Sequence, residues 1–553
     1  MKMSTKNKKQ AIKELLKLNI KSVDDLTRAK RKIAKKYGIG ILLNSEILKD
    51  LKPLSGLKSH LETARIRRLL RKRAVRTMSG IAPVAVLTKP WPCPGQCVYC
   101  PTEKNVPQSY LSNEPAVMRA IRCHYNPYVQ VQDRLRALIN NGHNPEKIEL
   151  IVIGGTWSVL PKKYKYWYIA NCFAAANQFA SKKSKVKSQK FKLSLNVDQI
   201  RKELLQEQKD NEKAKYRIIG ITLETRPDFI NEKELWQMRE LGCTRVELGV
   251  QAIDDKILKI NKRGHGIAET VAATKLLKNF GFKVTYHFMP GLPGSTSKKD
   301  FQMYKQLFSD EVFKPDQIKF YPTVVTKGSL LYRWWKAGKY KPYAGKQLES
   351  LIIKCKEITP VYVRIIRLIR DIPAESIMAG NLVTNLRQVM VDKGAKCKCI
   401  RCRQAREKDL RFKNLDLRIK KYKASGGIEY FISYESKNGK ILYGFCRLRL
   451  LDDKELSSGY PELSSLSSAL VRELHVYGEL ASIKKKGPLR QAGSEASKVQ
   501  HLGLGKKLLK KAEEIAQENG FKKIAIISGV GVRDYYRRQG YRLENTYMVK
   551  NLT

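Results

Sequence analysis

Val84-Ala-Val-Leu-Thr-Lys-Pro-Trp-Pro-Cys-Pro-Gly-Gln-Cys-Val-Tyr-Cys100 is a short apolar strand running into three cysteines, Cys93, Cys97 and Cys100, spaced C-x-x-x-C-x-x-C. Soft thiolates select zinc or iron–sulfur clusters. A ferredoxin-type cluster wants four cysteines, and no fourth stands nearby. Three would leave one iron of a four-iron cluster open to another ligand. The competing reading is a zinc knuckle that borrows a distant ligand.

Outward from this loop, apolar strands alternate with helices. The pattern predicts strands at Val84–Thr88, Glu149–Ile153, Ile218–Leu223, Arg245–Val250, Lys283–Met289 and Gln317–Tyr321, with helices between them such as Glu232–Leu241 and Ile267–Phe280. Six strand–helix repeats imply an α/β fold with a parallel barrel or partial barrel. In such folds the chemistry sits at the carboxyl ends of the strands, where the cysteine loop falls.

Three cysteines on that face resemble radical S-adenosylmethionine (SAM) enzymes, in which the open iron of a 4Fe-4S cluster chelates SAM. Gly154-Gly155-Thr156 follows the second strand, and glycines there permit positive φ and close approach to a ligand. In radical SAM barrels this position holds the amino group of SAM. Glu224 ends the third strand, and Glu247 and Gln251 lie on the fourth. They are candidates for the ribose and amino-acid parts of SAM, against a structural Glu224 pairing with Arg226 or Arg245. Met289-Pro-Gly-Leu-Pro-Gly294 is expected to wall the site.

A second group, Cys397-Lys-Cys399-Ile-Arg-Cys402, puts three thiols in six polar residues with no core to fill. A structural zinc is expected, completed by an unidentified fourth ligand. Cys123, Cys355 and a histidine are the candidates. Further on, a separate α/β unit begins with strands Ile428–Tyr434 and Ile441–Leu450. Within it Gln500-His-Leu-Gly503-Leu504-Gly505 opens a helix at Lys506, offering free N–H groups and a positive dipole end to a pyrophosphate. With the flanking strands and Tyr535-Tyr536, this resembles the coenzyme A site of GNAT-type acetyltransferases. A tyrosine commonly serves there as general acid toward the departing thiolate, and Tyr536 fits by position.

The 553 residues are too many for one core. Lys and Arg number 108 against 51 Asp and Glu, a net charge of +57, which points to a polyanionic partner. Residues 1–75 read as a basic helical arm, including Lys9–Leu18 and the cationic stripe Ala64–Arg76, and are expected to contact nucleic-acid phosphates. The Lys- and Ser-rich stretch Ser181–Lys215 reads as a surface insertion in the barrel unit. The expected units are 1–75, 76–390, 391–420 and 421–553. The eleven cysteines follow a reduced intracellular pattern, and no 18-residue apolar stretch marks a membrane span. A soluble, cytoplasmic protein is expected.

Long stretches are similar to the catalytic subunits of Elongator. They include Ser109-Tyr-Leu, Met118-Arg-Ala-Ile-Arg122, Glu224-Thr-Arg-Pro-Asp228, Asn261-Lys-Arg-Gly-His265, Tyr321-Pro-Thr323, Arg472-Glu-Leu-His-Val-Tyr-Gly478, Ser528-Gly-Val-Gly531 and Tyr535-Tyr-Arg-Arg-Gln-Gly-Tyr541. The resemblance implies a tRNA enzyme that carboxymethylates C5 of the wobble uridine, using acetyl-CoA and SAM. In that scheme a 5′-deoxyadenosyl radical takes hydrogen from the acetyl methyl, the carbon radical adds to C5, and thioester hydrolysis releases coenzyme A. The implied coenzyme A contacts are Lys147, Glu473, Leu474, His475, Val476, Leu504, Gly505, Lys506 and Tyr536. The implied partners are a tRNA anticodon stem-loop and an electron donor. The complete second cysteine group resembles members acting without other Elongator subunits. Two alternatives stand: a protein lysine acetyltransferase with a non-catalytic barrel, and a non-catalytic tRNA platform.

Overall fold

The computed structural model describes residues 2–51, 60–72, 77, 79–179, 194–343, 345–406, 409, 415–451, 467–478 and 503–552. The six expected strands form in order as β1 (Ala82–Leu87), β2 (Lys147–Ile153), β3 (Arg217–Thr225), β4 (Cys243–Gln251), β5 (Lys283–Phe288) and β6 (Gln317–Phe320). Each pairs in parallel with the next. A seventh strand not foreseen in the sequence, Arg364–Arg367, extends the sheet beyond β6. β1 and Arg364–Arg367 are its two edges, so the sheet curls into a partial barrel and does not close.

Side chains alternate between the two faces of a strand. On β2, Ile148, Leu150 and Val152 are buried under the helices, while Lys147, Glu149, Ile151 and Ile153 line a half-buried inner face. The same alternation turns Arg245 and Glu247 of β4 inward, in register with Thr222 and Glu224 of β3. The lumen therefore carries charged groups from Lys147 and Glu149 near one mouth to Glu224 and Glu247 near the other.

The basic N-terminal stretch is a compact unit with its own core. Helices α1 (Lys2–Lys17), α2 (Val23–Lys36), α3 (Asn44–Asp50) and α4 (His60–Leu70) bury Leu15, Leu26, Ile33, Ile47 and Leu70 among others. Ser22 and Asp25 close a reciprocal cap at the start of α2. Arg73–Arg76, part of the expected cationic stripe, lies outside the described residues. The unit meets the barrel where the Lys72 amide donates to Asn141 and the Lys72 carbonyl faces His143.

Ser181–Lys215 is corrected in its second half. Val197–Asn211 is a helix packed beside Lys162–Gln178, capped by Asn196 and burying Ile200 and Leu204. Residues 181–193 lie outside the described residues.

The C-terminal unit is a second seven-stranded sheet. It begins at Leu415–Ala424, a little before the expected bound, and includes Gly427–Ser436, Leu442–Leu450, Ala469–Val476 and Lys523–Ile526. It docks on the amino-terminal mouth of the barrel. A Cβ at Gly529 would stand 1.9 Å from the Ile219 carbonyl of β3, and one at Gly531 would stand 2.6 Å from Arg217 Cβ. Neither seam backbone has room for a methyl group. Gly529→Ala is expected to cost about 1–3 kcal/mol and to lower the urea midpoint; an unchanged midpoint would show that the seam yields freely.

Candidate active site

The cysteine loop follows β1 and lies at the carboxyl end of the sheet. Arg263 Nη1 donates to Cys97 Sγ at 3.1 Å and also reaches the Gly249 carbonyl of β4. The Gly95 amide donates to Cys93 Sγ at 3.4 Å. The hydrogen bond with Cys100, followed by Arg263, lowers the Cys97 thiol from its ordinary range, with burial opposing. The loop is pinned from both sides: the Val98 amide donates to the Asn261 carbonyl, and the Leu331 amide donates to Val98 O.

Gly154 has φ +135°, and a Cβ there would stand 2.1 Å from Thr88 Oγ1. Thr88 Oγ1 and Gln251 Oε1 are buried without a hydrogen-bond partner among the described residues. Gln251 itself sits at φ +71°, rare for a side-chain-bearing residue. Orphaned polar atoms on the face that carries three cysteines suit a polar cofactor, so the residues fit an open-iron cluster with SAM.

Glu224 and Glu247 converge on His287, which the sequence reading missed. His287 Nε2 lies 3.1 Å from Glu247 and Nδ1 3.5 Å from Glu224. Tyr110 donates to Glu224 at 3.4 Å, and Lys319 bonds Glu247. Burial opposes ionisation of Glu247, but Lys319, His287 and Arg245 outweigh it and hold the carboxyl well below the usual range. Glu247 is thus committed to internal partners, whereas Glu224 keeps part of its surface open to the mouth. The alternative pairing of Glu224 with arginine is not what forms: Arg226 holds Asp228, and Arg245 lies 3.1 Å from Glu149. Arg263 and His265 were also missed as functional residues, although both stand in Asn261–His265. His265 is buried with both ring nitrogens lacking hydrogen-bond partners among the described residues. Burial pushes it down to about 3.

At the opposite mouth stand the residues implied for coenzyme A. Strand Ala469–Val476 pairs in parallel with Lys523–Ile526 only at Leu470 and Val471, so the ladder ends before Glu473–Val476 and leaves that edge open. The Glu473 side chain points into the seam, where it bonds Arg447 at 3.0 Å and approaches Lys283 at 3.7 Å. His475 stacks against Tyr477 and Phe445, and burial pushes it down to about 4. Helix Leu504–Glu518 starts after Gly503. The Gly503–Lys506 amides have no intrahelical partner, because the first such bond comes from Lys507. A Cβ at Gly505 would stand 2.9 Å from the Tyr535 hydroxyl, which places that hydroxyl over the first turn. Tyr536 is buried in the unit's core beside Tyr541. Burial raises both phenols, Tyr535 to about 12. Lys147 pairs in register with Arg217, on which Gly531 packs, and burial lowers its ammonium to about 8. Gln500 lies outside the described residues.

The second cysteine group is brought together. Cys397, Cys399 and Cys402 have their sulfurs within 4.8 Å of one another. Among the described residues no further histidine, cysteine or carboxylate joins them. Cys123 instead faces Asp133 at 3.6 Å, and Cys355 stays in the core. The trio sits beside the seam, since the Ala405 amide donates to Leu442 and Ile400 to Val363.

No helix among the described residues is long and apolar enough to cross a membrane. Residues 93–306 match the Radical SAM superfamily, residues 315–396 the Radical_SAM C-terminal domain, and residues 496–541 the Acetyltransferase (GNAT) family. A tRNA uridine(34) acetyltransferase of Dehalococcoides mccartyi is 42% identical over 492 residues, covering 87% of this chain and 100% of that protein. Elongator complex protein 3 of Schizosaccharomyces pombe is 37% identical, covering 96% and 95%. A structure of archaeal Methanocaldococcus infernus Elp3, lacking residues 1–46 of its N-terminus, aligns with a TM-score of 0.68 at 38% identity, covering 86% of this chain and all of that one. The chain belongs to the family of tRNA uridine(34) acetyltransferases and Elongator complex protein 3.

Proposed function

We propose that this chain forms 5-carboxymethyluridine at the anticodon wobble position of tRNA from acetyl-CoA and SAM. The observation that carries the reading is one lumen lined by charged groups, with a thiol trio at its upper mouth and a GNAT-type unit sealed to its lower one. When bound at Cys93, Cys97 and Cys100, a 4Fe-4S cluster supplies the electron for reductive cleavage of SAM, and a carbon radical is a plausible means of joining carbon to the unactivated C5 of uridine. Arg263 steadies the central thiolate. Gly154, Gly155 and Thr156 admit the amino group of SAM, while Glu224 and Gln251 offer acceptors to its hydroxyls and amine. Glu247, held by Lys319 and His287, fixes the wall beneath them.

On the other side, the amides of Gly503, Leu504, Gly505 and Lys506 receive the pyrophosphate of acetyl-CoA, and the open edge Glu473–Val476 lines its pantetheine arm. Lys147 and Tyr536 complete that site, Tyr536 as the acid toward the departing thiolate. A wobble base lies in a single-stranded loop, where proteins read RNA bases, and the basic N-terminal unit would hold phosphates with steep salt dependence. Cys397, Cys399 and Cys402 would hold a structural zinc at the seam. A cytoplasmic enzyme, fed by an electron donor and acting without other Elongator subunits, fits this reading.

The test is anaerobic reconstitution with iron and sulfide, followed by SAM, acetyl-CoA, dithionite and tRNA. 5′-Deoxyadenosine and a carboxymethylated nucleoside are expected in the digest. Unmodified tRNA together with acetylated lysine peptides would favour the lysine acetyltransferase instead. Tyr536→Phe keeps the buried ring and removes the acid, so tRNA-stimulated acetyl-CoA hydrolysis is expected to fall by roughly 10²-fold. A larger loss in Tyr535→Phe than in Tyr536→Phe would move that role to its neighbour.

A further inference from the structure

Beside the cysteine loop lies a cavity of about 420 Å³ that the reaction described above does not use. Its floor is the Gly291–Gly294 loop that leaves β5, and its walls include Trp334, Tyr340, Lys339 and Lys341. The cavity opens on the face that carries the thiols. Asn261 Nδ2 donates to the Pro293 carbonyl at 2.9 Å, and the Asn261 carbonyl receives the Val98 amide at 3.2 Å. Helix Leu330–Lys336, which carries Trp334, holds the other side of Val98, with Leu331 N donating to Val98 O at 2.8 Å. Asn261 and Val98 therefore tie the loop and the helix that line the cavity to the cysteine loop.

Its chemistry is specific. Trp334 and Tyr340 are half-buried and stack on no other ring among the described residues. The Tyr340 hydroxyl donates to the Gly291 carbonyl at 2.6 Å, which fixes the ring against the floor. Lys339 and Lys341 are exposed at the rim, and neither meets a carboxylate among the described residues. Ligand pockets run from about 300 to 1,000 Å³, so this one suits a single nucleotide. Trp334 and Tyr340 pack partly on the core and also line the cavity, where an aromatic side chain can stack a splayed base and a lysine can neutralise a phosphate.

Building on the tRNA reading, we infer that this cavity is a subsite for an anticodon-loop nucleotide flanking the reacting base. It holds the neighbour by stacking on Trp334 and Tyr340, with its phosphate at Lys339 and Lys341. The concavity favours a nucleotide over an acidic redox protein, which would dock on a broad, flatter surface.

The test uses the full-length protein and a synthetic anticodon stem-loop RNA with 4-thiouridine placed on either side of the wobble base. Irradiation is expected to cross-link the thiobase to the peptide spanning 334–343. Trp334→Ala is expected to weaken binding of this RNA about tenfold, the scale of one lost base stack. K339E/K341E changes only exposed side chains, so an unaltered melting temperature verifies its fold, and it should weaken binding by at least as much while flattening the salt dependence. Tight RNA binding by the native chain, with cross-links elsewhere and both variants within twofold, would overturn the subsite and leave the tRNA reading standing. Unchanged RNA affinity together with slower cluster reduction by an acidic flavodoxin-type protein would assign the surface to the electron donor and likewise overturn it. Failure of the native chain to bind the RNA at all would overturn the tRNA reading itself, and the subsite with it.

Discussion

Cys97→Ala is expected to abolish both 5′-deoxyadenosine formation and uridine modification, while tRNA-stimulated acetyl-CoA hydrolysis continues at the native rate. Cys97 is the buried member of the trio and the one that receives Arg263. Its removal deletes one of three thiolate ligands and leaves the Arg263 cation facing a void. The lower mouth, with Tyr535, Tyr536 and helix Leu504–Glu518, is built from other elements and keeps its geometry. Bound iron, measured by colorimetry, should fall with activity. Arg263→Gln should be milder, a loss of roughly 10–100-fold, as for other outer partners of metal ligands. If Cys97→Ala modified tRNA normally, the thiol trio would not be the source of the chemistry.

Arg472→Ala is expected to produce the largest loss of stability, about 3–5 kcal/mol, because removing one partner of a buried pair strands the others. Arg472 is fully buried in the seam, bonding Asp316 of the barrel unit and Glu429 of the C-terminal unit. Arg447 and Arg449 crowd the same carboxylates, and Lys278 lies 3.7 Å from Glu429. Chemical denaturation followed by tryptophan fluorescence should show a lower midpoint and two separated transitions. Loss under 1 kcal/mol would mean that the ion network is incidental to the seam. The same network predicts acid lability. Burial alone would raise the Glu473 carboxyl, but Lys283 and Arg447 outweigh it and hold it down to about 2. Its folded value lies below the unfolded one, so its contribution is present at neutral pH and is lost as pH falls toward 2.

The six strands and their intervening helices were legible because apolar runs bounded by glycine, proline and polar turns set a clear period; predicted Glu232–Leu241 and Ile267–Phe280 are observed as Glu232–Glu240 and Ile267–Asn279. The thiol trio and the helix after Gly503 were legible from spacing. Arg364–Arg367 was not, since four residues flanked by arginines carry no apolar period, and they become a strand only because β6 offers an edge. Val197–Asn211 was hidden by the lysine-rich residues before it and by its own run of Gln, Glu and Asp, though Ile200 and Leu204 recur at helical spacing. Arg263 was missed because its contact with Cys97 joins two loops far apart in the chain, and His287 and Lys319 for a different reason. Their roles depend on which residues of neighbouring strands lie in register, and one strand's sequence does not say what its neighbour places alongside. The direction of Glu473 is of the same kind: the backbone belongs to one ligand edge, while the carboxylate belongs to the seam.

The seam also sets a clock on biosynthesis. Arg239, buried in the barrel unit, donates to the carbonyl of Thr546, 307 residues later in the chain. At about 5–20 residues per second, a ribosome needs about 15 to 60 seconds to deliver that acceptor after Arg239 has been made. Throughout that interval the nascent barrel carries guanidinium and carboxylate groups whose eventual counterparts do not yet exist. A message cut short of the Thr546 codon would therefore yield a polypeptide whose damage appears far from the missing residues, as an unsealed floor beside Arg239.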